Sequence, residues 1–298
     1  MTGRRWQDAA EKGAVLGIRI LVGASRLLGR RLGRLLLLPV AAWYVAFHGD
    51  VRSASRAFLL RAQGRASLGD VYRHVLCFAR VTFDRLFLVR GEVRPFAVSF
   101  RGEEHLRALR DAGRGALLLL AHLGSFEVLR AFSRERTLPI HVLGYFRNAP
   151  MINAALRRLN PAADARLVEI RPDDPTFVFE VEELVASGAL VGTMGDRVGF
   201  DGKVVRVPFL GAPADFPAGP YLLAAALRCP VYVAFGVYRE PNRYELSCEL
   251  LAERVELPRG RRQEALAAIA SRYAERLEAA CRSAPYNWFN FYDFWSAA

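Results

Sequence analysis

The sequence has almost no lysine, although its formal net charge is +12 over 298 residues. Lysine occurs only at Lys12 and Lys203, so arginine carries nearly all of the positive charge. A basic excess of this size favours acidic partners: nucleic acid, anionic lipid or an acidic carrier protein. The sequence contains no recognised nucleic-acid-binding motif, and we therefore expect no nucleic-acid partner.

Paired cysteines and metal-binding patterns are also missing. Four cysteines lie far apart without a C-x-x-C pair: Cys77, Cys229, Cys248 and Cys281. Each has apolar neighbours, which predicts buried free thiols and requires no oxidising compartment. None of the five histidines has a second ligand at metal-binding spacing, so we predict no metal. The absence of G-x-S-x-G argues against a serine α/β-hydrolase.

The first fifty residues contain two apolar stretches, Ala14–Leu28 and Leu35–Phe47. They flank or contain four arginines, Arg26, Arg30, Arg31 and Arg34. The second stretch is uninterrupted but only thirteen residues long, below the roughly 18 residues that span a bilayer. Short apolar helices with arginines are typical of attachment to a membrane face. We therefore expect residues 1–50 to be a membrane-associating region. One alternative is a buried helical hairpin. The other is a single tilted span over about residues 27–47, whose arginine-rich flank would lie on the cytoplasmic side.

From about Val98 onward, short apolar runs alternate with amphipathic helical patterns. Examples of the runs are AVSF, ALLLLA, RLVEI, ALVGTM and PVYVAFGVY. Continuous apolar runs of this length predict strands of a mostly parallel sheet that is covered by helices on both faces. The sequence therefore predicts an α/β fold, with one catalytic domain over residues 51–298 and helices over residues 51–95.

His122 follows the apolar run 116–121, at the point where α/β sheets bind ligands. Gly124 gives the following turn its freedom, and Ser125 is a candidate helix cap. Glu127 lies in the first turns of the next helix, where its carboxylate is predicted to orient the imidazole as a base. Free amides at the start of this helix are expected to hold an oxyanion. The alternative is a buried histidine without catalytic function.

The stretch HLGSFE, residues 122–127, resembles the H-x4-[D/E] motif of the glycerolipid acyltransferase superfamily, particularly the late lipid A acyltransferases. Further blocks of this family have counterparts in the expected order. They are LPIHVLGYFRNAPMIN with Arg147, GTMGDRVGFDGKVVRVPFLGAPADFPAGP over residues 192–220, and CPVYVAFGVY from Cys229. The resemblance extends from about residue 15 to residue 283, including the apolar N-terminal region.

The resemblance implies transfer of an acyl chain to a lipid hydroxyl from an acyl carrier protein or coenzyme A thioester. It implies that His122 is the general base and Glu127 its partner. It makes Arg147 and Arg197 candidates for holding phosphate or the thioester donor, and Asp196 a candidate for positioning them. A thioester is already activated, so no further cofactor is expected; a base, an oxyanion site and orientation are sufficient.

Two departures bear on the acceptor. The lipid A enzymes keep Asp-Gln where this chain has Asp196-Arg197, and this chain ends in an aromatic tail, APYNWFNFYDFW over residues 284–295. The tail resembles acyltransferases of the aryl polyene branch, which implies an acceptor other than lipid A. The tail is expected to pack as a core plug, to line an acyl tunnel, or to insert at the membrane interface.

The leading hypothesis is therefore a membrane-associated acyltransferase on the cytoplasmic face of a bacterial inner membrane. The alternatives are a lysophospholipid or amino-acid-lipid acyltransferase with the same residues, and a non-catalytic lipid-binding protein on the same fold.

Overall fold

The computed structural model describes residues 23, 29–135, 140–144, 167–171, 174–198 and 202–295. Most of the apolar stretch Ala14–Leu28, together with Arg26 and Arg147, lies outside the described residues.

The chain enters the domain through a series of helices. They are α1 (Gly29–Gly33), α2 (Leu37–Phe47), α3 (Gly49–Gln63) and α4 (Leu68–Val89). A capping box starts α4, because the Ser67 hydroxyl accepts from the Asp70 amide while the Asp70 carboxylate accepts from the Ser67 amide. The prediction of helices over residues 51–95 is confirmed up to Val89.

Seven described strands form one sheet in the order β1-β9-β8-β2-β5-β3-β4. Their bounds are β1 Ala97–Arg101, β2 Ala116–Leu120, β3 Ile140–Gly144, β4 Leu167–Glu169, β5 Leu190–Met194, β8 Val231–Arg239 and β9 Arg243–Ala252. All neighbouring pairs are parallel except the antiparallel pair β8 and β9. This result confirms the mostly parallel sheet.

Helices follow or connect these strands and cover the centre of the sheet. They are α5 (Glu103–Asp111), α6 (Phe126–Glu135), α7 (Phe177–Ala186), α8 (Gly219–Leu227) and α9 (Arg262–Ser283). Every residue of β2 is buried, and since successive side chains of a strand point to opposite faces, both faces of β2 are covered. The four cysteines are buried and free, as predicted.

A separate antiparallel hairpin, β6 (Val204–Phe209) and β7 (Ala212–Pro217), was not predicted. Strand β6 alternates exposed and buried residues, but prolines and glycines in and around it obscure that pattern in the sequence. Phe209 and Phe216 of this hairpin pack against each other and against Phe294 of the aromatic tail. The hairpin therefore helps to bury the tail.

Helix α2 packs one face on the domain and leaves the other face uncovered. Leu37, Ala41 and Val45 are buried, whereas the side chains of Trp43 and Phe47 are 52% and 72% exposed. Within the described ranges, no single helix is both long and apolar enough to cross a membrane. One pair of consecutive helical segments, Gly29–Phe47 and Gly49–Gln63, is long and apolar enough when the two are taken together. The pair is bent by 95° between the segments, and it qualifies by length and composition alone.

A buried ion pair joins α1 to the rest of the domain. The guanidinium of Arg30 donates from Nε and Nη2 to both carboxylate oxygens of Asp84, each at 2.8 Å. The Tyr244 hydroxyl of β9 donates to the same carboxylate at 3.1 Å. Because Asp84 is fully buried, its charge depends on these partners for compensation.

We predict that Arg30→Ala lowers the free energy of unfolding by about 3–5 kcal/mol, because it leaves a buried carboxylate without its cation. Arg31→Ala is the matched control: Arg31 is the adjacent, exposed arginine, and its loss should change stability by less than about 0.5 kcal/mol. Denaturant unfolding measures both. Equal effects of the two substitutions would contradict a stabilising role of the Arg30–Asp84 pair.

Candidate active site

His122 lies in a turn at the carboxyl end of β2, and backbone hydrogen bonds fix this turn. The Ser125 amide donates to the Gly236 carbonyl of β8, and the Gly124 amide donates to the Asn287 carbonyl, both at 2.8 Å. Gly124 has a positive φ of 60°, and a Cβ placed there would lie 2.0 Å from the Gly236 oxygen. Both the conformation and the close approach of β8 therefore require glycine.

These hydrogen bonds also use two backbone donors next to His122. The amides of Gly124 and Ser125 each donate to a backbone carbonyl, so neither is available to hold an oxyanion. The turn packs between β8 and the aromatic tail, and these two elements supply the carbonyls. The expected oxyanion site at the start of α6 stays a prediction for the amides that follow Ser125.

Asp196 is the partner of the imidazole. It follows β5, the parallel neighbour of β2, so the carboxyl ends of the two strands bring both residues to one edge of the sheet. The His122 Nδ1 donates to Asp196 Oδ1 at 2.8 Å, and the His122 amide donates to Oδ2 at 2.9 Å. Asp196 is fully buried. It occupies the place that the sequence analysis assigned to Glu127.

This contact determines the state of the imidazole. An ionised carboxylate only accepts hydrogen bonds, so Nδ1 carries the proton and the lone pair is on Nε2. Burial and the nearby Arg197 lower the pKa of His122 below its ordinary value, although Asp196 opposes them. Burial alone would raise the pKa of Asp196, but His122 and Arg197 outweigh it and lower that pKa. At neutral pH the pair is therefore a neutral imidazole beside a carboxylate, with the histidine side chain 28% exposed.

Glu127 faces two arginines instead of His122. Its Oε1 accepts from Arg85 Nη2 at 2.9 Å and its Oε2 lies 3.2 Å from Arg130 Nε. Among the described residues it makes no hydrogen bond to His122, so the predicted contact is not formed. The reason is the direction of the first turn of α6, which places Glu127 against Arg85 of α4. Arg85 also stacks over the Phe126 ring at 5.5 Å.

Arg197 turns towards the aromatic tail. Its Nε donates to Asn290 Oδ1 at 2.6 Å and its Nη2 donates to the Phe289 carbonyl at 2.8 Å. Two of its donor groups are thus used within the protein, whereas the resemblance implied contacts with the donor substrate. The same implied role for Arg147 stays a prediction, because Arg147 lies outside the described residues.

The tail also contacts Asp196 directly, which the sequence analysis missed. Trp288 Nε1 and Asn290 Nδ2 donate to Asp196 Oδ2 at 2.9 and 3.2 Å. Trp288, Phe289 and Phe294 are buried, which confirms the interpretation of the tail as a core plug. The feature of the sequence that could have indicated these contacts is the pair of asparagines, Asn287 and Asn290, within an otherwise aromatic segment.

A family model described as bacterial lipid A biosynthesis acyltransferase matches residues 78–296. The chain belongs to this family. Membership assigns acyl transfer to a lipid acceptor, with an acyl thioester as the donor. No curated protein matches the chain. The matched region includes His122, Asp196, Glu127 and the tail, so all of the contacts described above lie within the acyltransferase unit.

We predict that Gly124→Ala strongly reduces acyl transfer, because the new methyl group would displace β8 or the turn that carries His122. Gly113→Ala is the matched control: Gly113 has the same φ of 60°, but a Cβ there meets nothing within 4 Å. Turnover and melting temperature are measured for both variants. Unreduced turnover in Gly124→Ala, as expected for Gly113→Ala, would contradict the requirement for glycine beside β8.

Proposed function

We propose that this protein transfers a fatty or polyene acyl chain from a thioester of acyl carrier protein or coenzyme A to a hydroxyl of a membrane lipid or glycolipid. The contact between Asp196 and His122 Nδ1 is the observation that carries the proposal. It leaves an unprotonated Nε2 on a partly exposed imidazole within an acyltransferase family, and such a group is suited to general-base catalysis.

In the proposed reaction, His122 Nε2 takes the proton of the acceptor hydroxyl as that oxygen attacks the thioester carbonyl. The carbon–oxygen bond forms and the carbon–sulfur bond breaks. The leaving thiolate then takes the proton from the imidazolium, so the enzyme returns to its starting state. Asp196 stabilises the imidazolium and keeps the ring in one orientation.

In this proposal, Glu127 serves the site through charge. It pairs with two arginines, Arg85 and Arg130, near the imidazole. Positive charge near the site, from Arg197 and to a lesser extent from Arg85, adds to burial in lowering the pKa of His122 and keeps the base unprotonated. It also favours the approach of an anionic group, such as the phosphate that both candidate donors contain.

The exposed face of α2 is the proposed contact with the membrane surface. Rings of Trp43, Tyr44, Phe47 and His48 form a continuous cluster, with centroids between 4.4 and 5.8 Å apart. Aromatic side chains of this kind favour the bilayer interface, and arginines favour its anionic lipids. Thioester donors are made in the cytoplasm, which supports the cytoplasmic face of the inner membrane.

The first test is transfer of a radiolabelled acyl chain to total bacterial lipid extract, with wild type and His122→Ala compared. Acyl carrier protein and coenzyme A thioesters are supplied separately, and a polyene donor is included because of the tail. We expect a lipid product whose formation falls by at least about two orders of magnitude in His122→Ala. A fully active His122→Ala protein would contradict the proposal.

A pair of isosteric substitutions distinguishes the two candidate partners of the base. We predict that Asp196→Asn lowers kcat by at least about a hundredfold, because an amide no longer imposes one tautomer or stabilises the imidazolium. Glu127→Gln should reduce kcat less, since the His122–Asp196 contact persists. The reverse order of effects would assign the orienting role to Glu127.

For the membrane contact, we predict that Trp43→Ser with Phe47→Ser weakens binding to anionic phospholipid vesicles by at least about tenfold, because each ring loses apolar burial of roughly 1.5–3 kcal/mol. Phe179→Ser is the control, since this side chain is similarly exposed, at 66%, but lies on α7. Vesicle co-sedimentation measures the change. Equal binding by the double variant and the wild type would contradict a docking role for α2.

A further inference from the structure

We propose that the NWFN segment, residues 287–290, positions the catalytic pair: Trp288 and Asn290 fix the carboxylate of Asp196 so that it orients His122. This inference rests on the proposed function of His122 and Asp196. It assigns to two tail residues a role in the reaction that burial and packing alone do not require.

Three donors surround one carboxylate oxygen of Asp196. Oδ2 accepts hydrogen bonds from the His122 amide, Trp288 Nε1 and Asn290 Nδ2, at 2.9, 2.9 and 3.2 Å. Oδ1 faces the imidazole at 2.8 Å. Three donors on one oxygen hold the buried carboxylate against rotation, so the other oxygen stays directed at Nδ1. Hydrogen bonds to a charged group are the strong ones.

Arg197 fixes the orientation of the Asn290 amide. Arg197 only donates, so the group that meets its Nε at 2.6 Å must be the amide oxygen of Asn290. The NH₂ group then faces Asp196, where it donates. Arg197 therefore fixes the orientation of the amide that donates to Asp196, in addition to its direct charge effect on that carboxylate.

Trp288 is itself held in place by a buried histidine. The His74 Nε2 donates to the Trp288 carbonyl at 2.8 Å, and the Ser55 hydroxyl meets His74 Nδ1 at 2.8 Å. Burial lowers the pKa of His74 to about 4, although the Trp288 carbonyl opposes it, so this histidine is neutral. Helices α3 and α4 thus support the tail, and the tail supports Asp196.

Main-chain contacts fix the same segment to the strands of the site. The Phe289 amide donates to the His122 carbonyl at 2.8 Å. The Asn287 side chain pairs with the backbone of Tyr238, accepting from its amide at 2.7 Å and donating to its carbonyl at 3.1 Å. The segment is therefore attached to the end of β2, to β8 and to Asp196 together.

Trp288→Phe tests the proposal, because it keeps an aromatic ring but removes the N–H on Asp196. Trp295→Phe is the matched control: its indole lies in the same cluster, 6.1 Å from that of Trp288, and donates only to the Phe209 carbonyl, at 3.2 Å, among the described residues. Measurements on the full chain are kcat and KM for the thioester, the pH dependence of kcat, and the melting temperature.

We expect Trp288→Phe to lower kcat at least about tenfold with little change in KM. The acidic limb of the profile should move to higher pH, because a carboxylate with one donor fewer interacts more strongly with the imidazolium and raises the pKa of His122. The charged groups that act on His122, namely Asp196, Arg197 and Arg85, are the same in both variants. Trp295→Phe should leave kcat and the acidic limb unchanged.

A Trp288→Phe protein with the kcat and acidic limb of the wild type would overturn the proposal, whatever its melting temperature. If that variant fails to fold, Asn290→Ser is assayed for the same two changes, and their absence would overturn it equally. The result for His122→Ala distinguishes a failure of the proposed function from a failure of the positioning role alone. Activity in His122→Ala contradicts the proposed function, whereas an inactive His122→Ala with a fully active Trp288→Phe contradicts only the positioning role.

Discussion

The contact between His122 and Asp196 depends on one feature of the sheet, the parallel pairing of β2 with β5. Each strand ends at the same edge, and the residue that forms the pair comes two positions after the end of each strand. The carboxylate binds both the imidazole and the backbone amide of His122, so the position of the ring follows from the position of the strand. Much of the surrounding structure serves to keep this buried carboxylate charged and fixed.

A fully buried carboxylate is costly unless donors surround it. Asp196 obtains those donors from His122 and from a tail that is 92 residues further along the chain. The tail in turn is enclosed by the β6–β7 hairpin and by α3 and α4, through aromatic contacts and the hydrogen bond from His74. The aromatic tail is thus attached to the candidate active site, through Asp196 and through the backbone of His122.

Much of the fold follows from the sequence because its signals are local. The run ALLLLA and the later apolar runs predict strands, and the strands occur there. The partner of His122 is not a local property. Glu127 is five positions away, whereas Asp196 is 74 positions away, and only the order of the strands brings it close. The hairpin and the two tail donors were missed for the same reason, since their structure depends on contacts between distant segments.

The most direct test of this account is ¹⁵N NMR of the histidine side chains as a function of pH, with the His122 signals assigned from a His122→Gln protein. His74, which is buried and has a pKa lowered to about 4, provides an internal reference for a neutral ring. The account predicts that His122 at neutral pH carries its proton on Nδ1, has an unprotonated Nε2, and titrates below the ordinary histidine value of about 6.5. A proton on Nε2, or a His122 imidazolium at neutral pH, would contradict it.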